Sequence, residues 1–318
     1  MYIAQSFMHS LIAAVIVDRA IHLWGITNPL IRQRFSLIII LFPIFSFPVY
    51  QLLNPDRGSI YFRLGSLFDI NRWLNLELWG IIPLSLFFMV ILIVTTAVFF
   101  FQEMIPIVKH AFESKNYKHE TSETGNNSFI NKMVDELAGE KTDVFMLDDE
   151  KPLLYSVTWG KSAVFLSTGL INTLNAEQIK AAVAHEIAHI QRSKRPLLIG
   201  VFFFRVLMFF NPVVLLEFRR IVQEEEKICD DMAVSITGTP YALAETLKKF
   251  YHKTKEPEIA DMKKPSALGA AIEDYSHNLL LKSRIKRLEQ WQSNSPESGW
   301  LNFFITLAVI AVINYFVV

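Results

Sequence analysis

The sequence is poor in cysteine and has no excess of charge of either sign. Cys229 is its one cysteine among 318 residues, so no intramolecular disulfide can form, and a small secreted disulfide scaffold is excluded. The 31 basic residues are balanced by 31 acidic residues, which gives no indication of a nucleic-acid partner. We therefore expect no direct binding of nucleic acid, and a reducing or membrane environment for the single thiol.

Apolar residues, by contrast, make up 52% of the chain, and 26 residues are phenylalanine. Four apolar stretches reach the roughly 20 residues that cross a bilayer as a helix, and they cover 6–24, 36–53, 79–101 and 299–318. The first stretch lacks the basic segment and the small-residue cleavage site that mark a signal peptide. The composition therefore predicts a multi-pass α-helical membrane protein in contact with lipid, with three transmembrane helices in 1–101 and a fourth in 299–318.

Lysine and arginine residues flank these spans unevenly. They occur in the predicted first loop, after the third span and before the last one: Arg32, Arg34, Lys109, Lys115, Lys118, Lys282, Arg284, Lys286 and Arg287. The second predicted loop, 54–78, mixes basic with acidic residues. Because short basic loops stay on the cytoplasmic side, the pattern predicts that both termini lie outside and that 102–298 lies in the cytoplasm.

The segment 102–298 divides into a connection and a folded domain. Residues 102–128 are predicted to be a cytoplasmic helix extension followed by a polar linker without hydrophobic periodicity. Residues 129–298 begin with a helix-spaced stretch, FINKMVDELAG, and continue with three β-branched and aromatic runs, TDVFML, LLYSVT and SAVFLS. This order predicts an α+β domain that is mostly helical, with a small sheet ahead of its main helices.

Helix boundary signals follow the third run. Asn175 and Gln178 have the spacing of a capping box, which predicts a helix from there to about Ser193. A second helix is predicted at about 214–236, and Gly238 ends it.

The first of these helices carries HEIAH at 185–189. His185 and His189 are four residues apart and share one helix face, so their imidazoles can coordinate a single cation. Glu186 is rotated by about 100° and is suited to act as general base on a water bound to that cation. Zinc accepts such ligands and lowers the pKa of a bound water. A solvated helix is the alternative, but apolar neighbours surround the motif, so its polar atoms need a partner.

A catalytic zinc ion needs a third protein ligand, and EEEKICDD on the second helix offers several carboxylates. Glu226 and Asp230 are four residues apart and share a face. We predict that Glu226 binds the metal and that Asp230 accepts a hydrogen bond from the free N–H of a ligand histidine. Glu224 and Glu225 are alternative candidates for the third ligand. Alternatively, the whole acidic run is an exposed helix face that binds no metal.

A fifth apolar stretch, 197–216, lies between the histidines and Glu226. A single crossing of the bilayer would place these ligands on opposite sides, so they could not share a metal. Arg205 and Asn211-Pro212 would also be costly in a lipid-exposed span. We predict a bent or in-plane hydrophobic segment that brings the zinc close to the inner membrane surface.

Three stretches resemble the antibiotic-sensor metalloproteases of the BlaR/MecR type: SAVFLSTGLINTLNAEQIKAAVAHEIAHIQRSK, FFNPVVLLEFRRIVQEEEKICDD and YALAETL. Members of that family are gluzincins of the bacterial inner membrane with a cytoplasmic zinc domain. The resemblance implies that His185, His189 and Glu226 are zinc ligands and that Glu186 is the catalytic base. It also gives Cys229 the position of a motif cysteine that looks structural.

The sequence departs from the antibiotic receptors after the last span. Those receptors continue into a penicillin-binding sensor domain with an S-x-x-K motif, whereas this sequence ends at Val318 and its one such string, 283–286, has no companion motifs. We therefore expect that the sensor domain and direct β-lactam sensing are lacking. Membrane proteases of the HtpX and CAAX types share HExxH and a glutamate ligand, and they are the nearest alternative family.

The expected activity is that of a zinc endopeptidase, in one of two settings. The first is a regulated signalling protease that cleaves a cytoplasmic transcriptional repressor or its own linker, and the second is a quality-control protease for membrane proteins. A non-enzymatic transducer with structural zinc is a third reading, but the intact Glu186 argues against it. The substrate is expected to be a protein or peptide, and a homo-oligomer is compatible with the sequence.

Two features of substrate handling are also predicted. The strand around 162–167 is suited to pair with an extended peptide. The donor that stabilises the oxyanion is left open among four candidates, namely Tyr241, Tyr251, His252 and His277.

Overall fold

The computed structural model describes residues 2–105, 128–138, 142–157, 162–193, 197–254, 280–291 and 299–318. The chain forms two compact units. The first unit draws its residues from 1–119, 196–225 and 295–318, and the second draws them from 120–195 and 226–294. Most of the predicted linker, 106–127, lies outside the described residues.

The first unit is mainly helical. Its longer helices are Tyr2–Leu23, Pro29–Leu53, Leu84–Phe99, Leu197–Leu207, the first part of Pro212–Thr237, and Trp300–Tyr315. Short helical turns cover Pro55–Gly58, Ile60–Leu64 and Ile70–Leu74, and Glu77–Leu78 pairs with Ile82–Pro83 in an antiparallel hairpin. Among the described residues, two helices near the amino terminus are long and apolar enough to cross a membrane, Tyr2–Leu23 and Pro29–Leu53. Leu84–Phe99 and Trp300–Tyr315 are apolar but shorter.

The second helix begins earlier than the sequence analysis predicted. Asn28 caps it, because its side-chain oxygen accepts a hydrogen bond from the backbone N–H of Leu30 at 2.9 Å, and Pro29 occupies the first helical position. The prediction that Arg32 and Arg34 lie in a loop is therefore wrong. Both residues lie in the first turns of the helix, and the guanidinium of Arg34 lies 4.6 Å from the centre of the Trp300 ring.

The third apolar stretch begins later than predicted. Residues 79 and 80 turn the hairpin with positive φ angles of 53° and 68°, so the helix begins only at Leu84. At its other end the helical backbone continues through a π-helical turn at Phe100–Met104. Helical backbone from Leu84 to Met104 covers about the number of residues that a bilayer crossing requires.

The fifth apolar stretch is bent. Its first helix ends at Leu207, and Asn211 caps the next one by accepting a hydrogen bond from the backbone N–H of Val213 at 3.1 Å. Asn211 also donates to the hydroxyl of Ser10 at 2.9 Å. Arg205 is 1% exposed and lies against the ring of Phe99. In the structure this segment belongs to the first unit, and its assignment to the protease domain stays a prediction.

The second unit combines helices with a three-stranded sheet, as the sequence predicts. The helices are Ser128–Ala138, Thr168–Thr173, Ala176–Ser193, the end of Pro212–Thr237, Pro240–Thr254 and a stretch at 280–289. The strand Ala163–Ser167 lies in the middle of the sheet, parallel to Asp143–Leu147 and antiparallel to Leu154–Val157. Phe165 therefore stacks between Phe145 and Tyr155, with ring centroids 4.9 and 5.0 Å away.

Small residues let the helices of this unit approach closely. Ala181, Ala184 and Ala188 on the helix Ala176–Ser193 are fully buried. The first two belong to a core that also contains Val164, Leu166, Leu170, Leu243 and Leu288. The apolar surroundings that the sequence indicated for HEIAH are therefore the core of this unit.

A glycine lets the helix Thr168–Thr173 approach the loop that precedes the strand Leu154–Val157. A Cβ atom at Gly169 would collide with the backbone carbonyl of Glu150, so only glycine fits there. The hydroxyl of Ser167 donates to the carbonyl of Lys151 at 2.6 Å and accepts from the N–H of Leu153 at 2.9 Å. These contacts hold the loop that leads into the strand Leu154–Val157, which lies against the helix carrying HEIAH.

Candidate metal centre

The helix Ala176–Ser193, here called the motif helix, is opened by the predicted capping box. The N–H of Gln178 donates to the side-chain oxygen of Asn175 at 2.9 Å, and the N–H of Asn175 donates to the side-chain oxygen of Gln178 at 3.1 Å. This reciprocal pair satisfies two N–H groups at the start of the helix. The helix then runs unbroken through His185 and His189, so the two rings project from one face.

The structure brings His185, His189 and Glu226 together. The Nε2 atoms of the two histidines are 3.1 Å apart. The carboxylate oxygens of Glu226 lie 3.6 Å from Nε2 of His185 and 3.5 Å from Nε2 of His189. Donor atoms about 2.1 Å from a tetrahedral ion lie about 3.4 Å from one another, so these three distances fit a shared metal ion. Among the described residues, this is the group of histidine, cysteine and acidic side chains that could hold one.

The neighbouring glutamates point away from this group. Glu225 accepts a hydrogen bond from the side chain of Gln33 at 2.7 Å, and Glu224 lies 4.0 Å from the guanidinium of Arg32. Successive helical residues are rotated by about 100°, so only one of three consecutive glutamates can face the histidines. The side chains of Glu224 and Glu225 are also buried, so these two residues do not form the exposed acidic helix face that was the alternative interpretation.

The second ring nitrogen of each histidine faces a residue on the helix Pro212–Thr237, here called the carboxylate helix. Nδ1 of His185 lies 3.1 Å from Asp230, whose side chain is buried. Nδ1 of His189 lies 3.4 Å from the sulfur of Cys229. Partners at Nδ1 orient a ring so that Nε2 is presented to a metal. The position of Asp230 beside His185 is the one that its spacing from Glu226 predicts, and its role toward a bound metal stays a prediction. No pattern in the sequence points to the contact of Cys229 with His189.

Glu186 contacts the edge of the sheet. The hydroxyl of Ser156 donates to a carboxylate oxygen of Glu186 at 2.7 Å. Ser156 lies on the strand Leu154–Val157, which has a strand partner on one side only among the described residues. The sequence analysis missed Ser156, since a serine 30 residues before the motif carries no local signal of a contact with it.

Arg284 completes the group, and the sequence analysis used it only to orient the spans. Its guanidinium donates two hydrogen bonds to Asp230, at 2.8 and 2.7 Å, and one to Glu226 at 2.8 Å. A local signal for this position did exist. Arg284 lies three residues after Leu281 and four before Leu288, both buried, so it belongs to the apolar stripe of its helix.

The charges of this group shift one another's pKa values. Burial opposes protonation of His185, but the contacts with Asp230 and Glu226 outweigh burial and raise its pKa to about 9. Burial also opposes ionisation of Glu226, but His185 and Arg284 outweigh it and lower the pKa of that carboxyl to about 2. The pKa of Asp230 is lowered as well, since Arg284 and His185 outweigh the effect of burial.

His189 differs from His185. Its own burial and the charge of His185 lower the pKa of His189. Two imidazoles with Nε2 atoms 3.1 Å apart cannot both be protonated at low cost. A divalent cation needs neutral imidazoles and an ionised carboxylate. The donor set of two nitrogens and one oxygen therefore fits a zinc-type ion.

One prediction about substrate binding is wrong. The strand at 163–167 is central, so both of its edges are already paired with Asp143–Leu147 and Leu154–Val157. No edge is left for a peptide. Among the strands that the structure describes, the free edge nearest the motif belongs to Leu154–Val157, whose Ser156 contacts Glu186.

Of the four oxyanion candidates, Tyr241 is the one whose side chain the structure describes. Tyr241 lies in the first turn of Pro240–Thr254 with 66% of its surface exposed. The side chains of Tyr251 and His252 and the whole of His277 lie outside the described residues.

Comparison with known proteins identifies the family. A search of curated proteins found no match. The protein-family model described as BlaR1 peptidase M56 matches residues 83–260, which is more than half of the chain and includes both histidines and Glu226. Together with the two apolar amino-terminal helices, this match indicates a membrane-associated metallopeptidase. The chain belongs to the BlaR1 peptidase M56 family.

Proposed function

We propose that this protein is a zinc endopeptidase with a gluzincin-type site. The observation that carries the proposal is the convergence of His185, His189 and Glu226, whose donor atoms all lie within 4.8 Å of one another. The family match supports a peptidase, and the nitrogen and oxygen donors favour zinc over harder cations that prefer oxygen ligands alone.

His185 and His189 would hold the metal through Nε2, and Glu226 would hold it through its carboxylate. Bound zinc would lower the pKa of a water and polarise the scissile carbonyl. Asp230 and Cys229 keep the two imidazole rings oriented from behind, at Nδ1.

Glu186 is the proposed general base. Its carboxylate would take a proton from the attacking water and then pass this proton to the leaving amine. The hydroxyl of Ser156 holds one oxygen of Glu186 and thereby fixes the direction of the other. An extended substrate would pair with the free edge of Leu154–Val157, since backbone pairing positions a peptide without reading its sequence.

The proposed setting is a bacterial inner membrane that the chain crosses four times, with the metalloprotease domain in the cytoplasm. The proposed role is regulated signalling, by cleavage of a cytoplasmic repressor or of the chain itself. The family match supports signalling over general quality control. The presence of Glu186 and its contact with Ser156 support catalysis over a purely structural metal site.

The test compares the purified full-length protein with the Glu186→Gln variant. We expect the variant to retain one zinc per chain and to lose cleavage by a factor of about 10³ or more, because the proton acceptor is removed while the ligands are kept. The measurements are metal content by elemental analysis and peptide cleavage by mass spectrometry.

A His189→Ala variant is the control, and it should lose both metal and cleavage. Cleavage by Glu186→Gln at the rate of the unaltered protein would contradict the proposed role of the base. Absence of bound zinc in the unaltered protein would contradict the proposed function as a whole.

A further inference from the structure

We infer that Arg284 is a positioning residue that clamps Glu226 and Asp230, so that both carboxylates are aligned when a metal arrives. The inference rests on the proposed metal site and adds a residue to it that lies 58 positions after Glu226 in the sequence. It concerns the orientation of the ligands and of the group behind them, which is separate from the chemistry that Glu186 performs.

The contacts of the guanidinium define the clamp. Nε and one terminal nitrogen form two nearly parallel hydrogen bonds with the two oxygens of Asp230, at 2.8 and 2.7 Å. The other terminal nitrogen donates to Glu226 at 2.8 Å. One planar group thus sets the rotation of both carboxylates at once. These bonds leave the other oxygen of Glu226 directed at His189, 3.5 Å from Nε2.

Arg284 is connected to both kinds of proposed metal ligand, the glutamate and a histidine. Asp230, held by the guanidinium, lies 3.1 Å from Nδ1 of His185. Arg284 therefore acts on the glutamate ligand directly and on the histidine ligand through Asp230. A terminal nitrogen of Arg284 also approaches Nε2 of His185 to 3.4 Å, so the guanidinium lies at the margin of the proposed metal position.

Charge balance explains why a cation is placed so close to a metal site. Glu226 and Asp230 are anionic. The side chain of Asp230 is buried, that of Glu226 is 34% exposed, and Glu186 lies near enough to act electrostatically on His189. A divalent ion neutralises two of these three charges, and Arg284 neutralises the third. Without Arg284 the filled site would retain one uncompensated negative charge beside the buried Asp230.

The geometry requires arginine in particular. Lysine would keep the positive charge, but its single ammonium cannot form the planar fork that meets both oxygens of Asp230 and one of Glu226. The substitution Arg284→Lys therefore separates alignment from charge.

The same helix offers a matched control. Arg287 lies one turn further along and donates to Asp231 at 2.6 Å, so it also links the helix at 280–289 to the carboxylate helix. Asp231 is not among the ligands or their Nδ1 partners. Arg287→Lys weakens a comparable arginine–aspartate contact between the same two helices without touching the proposed site.

The experiment measures zinc affinity of the full-length protein in detergent, by competition with a chromogenic chelator. We expect Arg284→Lys and Arg284→Gln to lower the affinity by about 10- to 100-fold, the range for groups that orient metal ligands. Arg287→Lys should leave it within about threefold of the unaltered protein. The visible spectrum of the cobalt-substituted protein should change in the Arg284 variants only, because the ligand geometry changes.

The outcomes separate the inference from the proposed function. An Arg284→Lys variant with unchanged affinity would show that Arg284 acts through its charge alone, and an Arg284→Gln variant with higher affinity would show that the cation only opposes the metal; either result would overturn the inference. Equal losses in Arg284→Lys and Arg287→Lys would also overturn it, since they would indicate a general role in helix packing. Failure of the unaltered protein to bind zinc would instead refute the metal site.

Discussion

The buried histidines of the two units differ in what their ring nitrogens contact. In the first unit, Nδ1 of His9 lies 2.8 Å from the hydroxyl of Ser46, and Nε2 lies 3.3 Å from the carbonyl of Val317. In the second unit, Nδ1 of His185 lies 3.1 Å from Asp230 and Nδ1 of His189 lies 3.4 Å from Cys229, but their Nε2 atoms face each other and Glu226. Paired nitrogens hold helices together, whereas converging donor atoms form a site that can bind a ligand.

One arginine in each unit shows the same difference. Arg57 in the first unit donates to the backbone carbonyls of Asn314, Tyr315 and Val317, at 2.9, 3.0 and 2.6 Å. Arg284 in the second unit donates to two carboxylates, one of which faces the histidines. Backbone carbonyls are fixed acceptors, so Arg57 ties the end of the last helix to the rest of its unit. Carboxylates can also bind a metal, so Arg284 serves the site.

The largest expected effect comes from replacing His185 by alanine, and the same substitution at His9 serves as the comparison. His185→Ala removes one of the three donors, and we expect zinc affinity to fall by a factor of at least about 10³, with loss of peptide cleavage. His9→Ala removes two hydrogen bonds in the first unit and should lower the free energy of unfolding by about 1 to 3 kcal/mol.

The measurements are zinc stoichiometry and thermal unfolding for both variants. His9→Ala should still bind one zinc ion per chain. Loss of zinc from His9→Ala at a temperature where the protein stays folded would contradict the separation of roles between the two units.

A pH series sharpens the comparison, because protons and a metal compete only for the nitrogens of the converging histidines. His185 has a pKa raised from 6.5 to about 9, so its charged form stabilises the metal-free fold below about pH 6.5, and this contribution is lost as pH rises through about 9. Glu226 has a pKa lowered from 4.5 to about 2, so its contribution is present above about pH 4.5 and is lost as pH falls through about 2.

Zinc must displace the proton of His185, so its apparent affinity should rise about tenfold between pH 7 and pH 8. Chelator competition at the two pH values measures this change. An affinity that stays constant over this range would show that His185 is already neutral.

The smallest expected effect concerns the hydrogen bond between Ser156, on the sheet, and Glu186, the proposed base. Ser156→Ala removes the hydrogen bond to Glu186, and we expect kcat to fall about tenfold, corresponding to about 1.4 kcal/mol, with zinc content unchanged. Ser156→Thr keeps a hydroxyl and should restore most of the rate. Steady-state cleavage of a peptide substrate measures both, and equal rates for Ser156→Ala and the unaltered protein would exclude this role of the serine.

Most of the second unit could be predicted from local patterns. The capping box at Asn175 and Gln178, the three strands and the glycine stop at Gly238 all have the predicted bounds to within a few residues. The first unit was predicted less well at its helix ends. Apolar runs alone do not reveal the start at Asn28-Pro29, because a helix begins where its cap lies and polar residues can occupy its first turns.

The parts of the site that depend on helical periodicity could be predicted from the sequence. The four-residue spacings of His185 with His189 and of Glu226 with Asp230 place each pair on one face before any tertiary contact forms. The convergence of the two pairs followed from chemistry, since buried imidazoles and carboxylates require partners. The contacts of Ser156, Cys229 and Arg284 could not be predicted in this way. Each joins residues at least 30 positions apart through side chains that are common in other roles.

The sequence by itself determined the local elements and the type of chemistry, because helix period, capping and ligand identity depend on residues a few positions apart. Only the tertiary structure decided which of three adjacent glutamates faces the histidines, which strand presents a free edge, and which arginine reaches the carboxylates. These choices depend on the rotation and approach of separate elements. That packing is determined by the buried core as a whole rather than by any short stretch of residues.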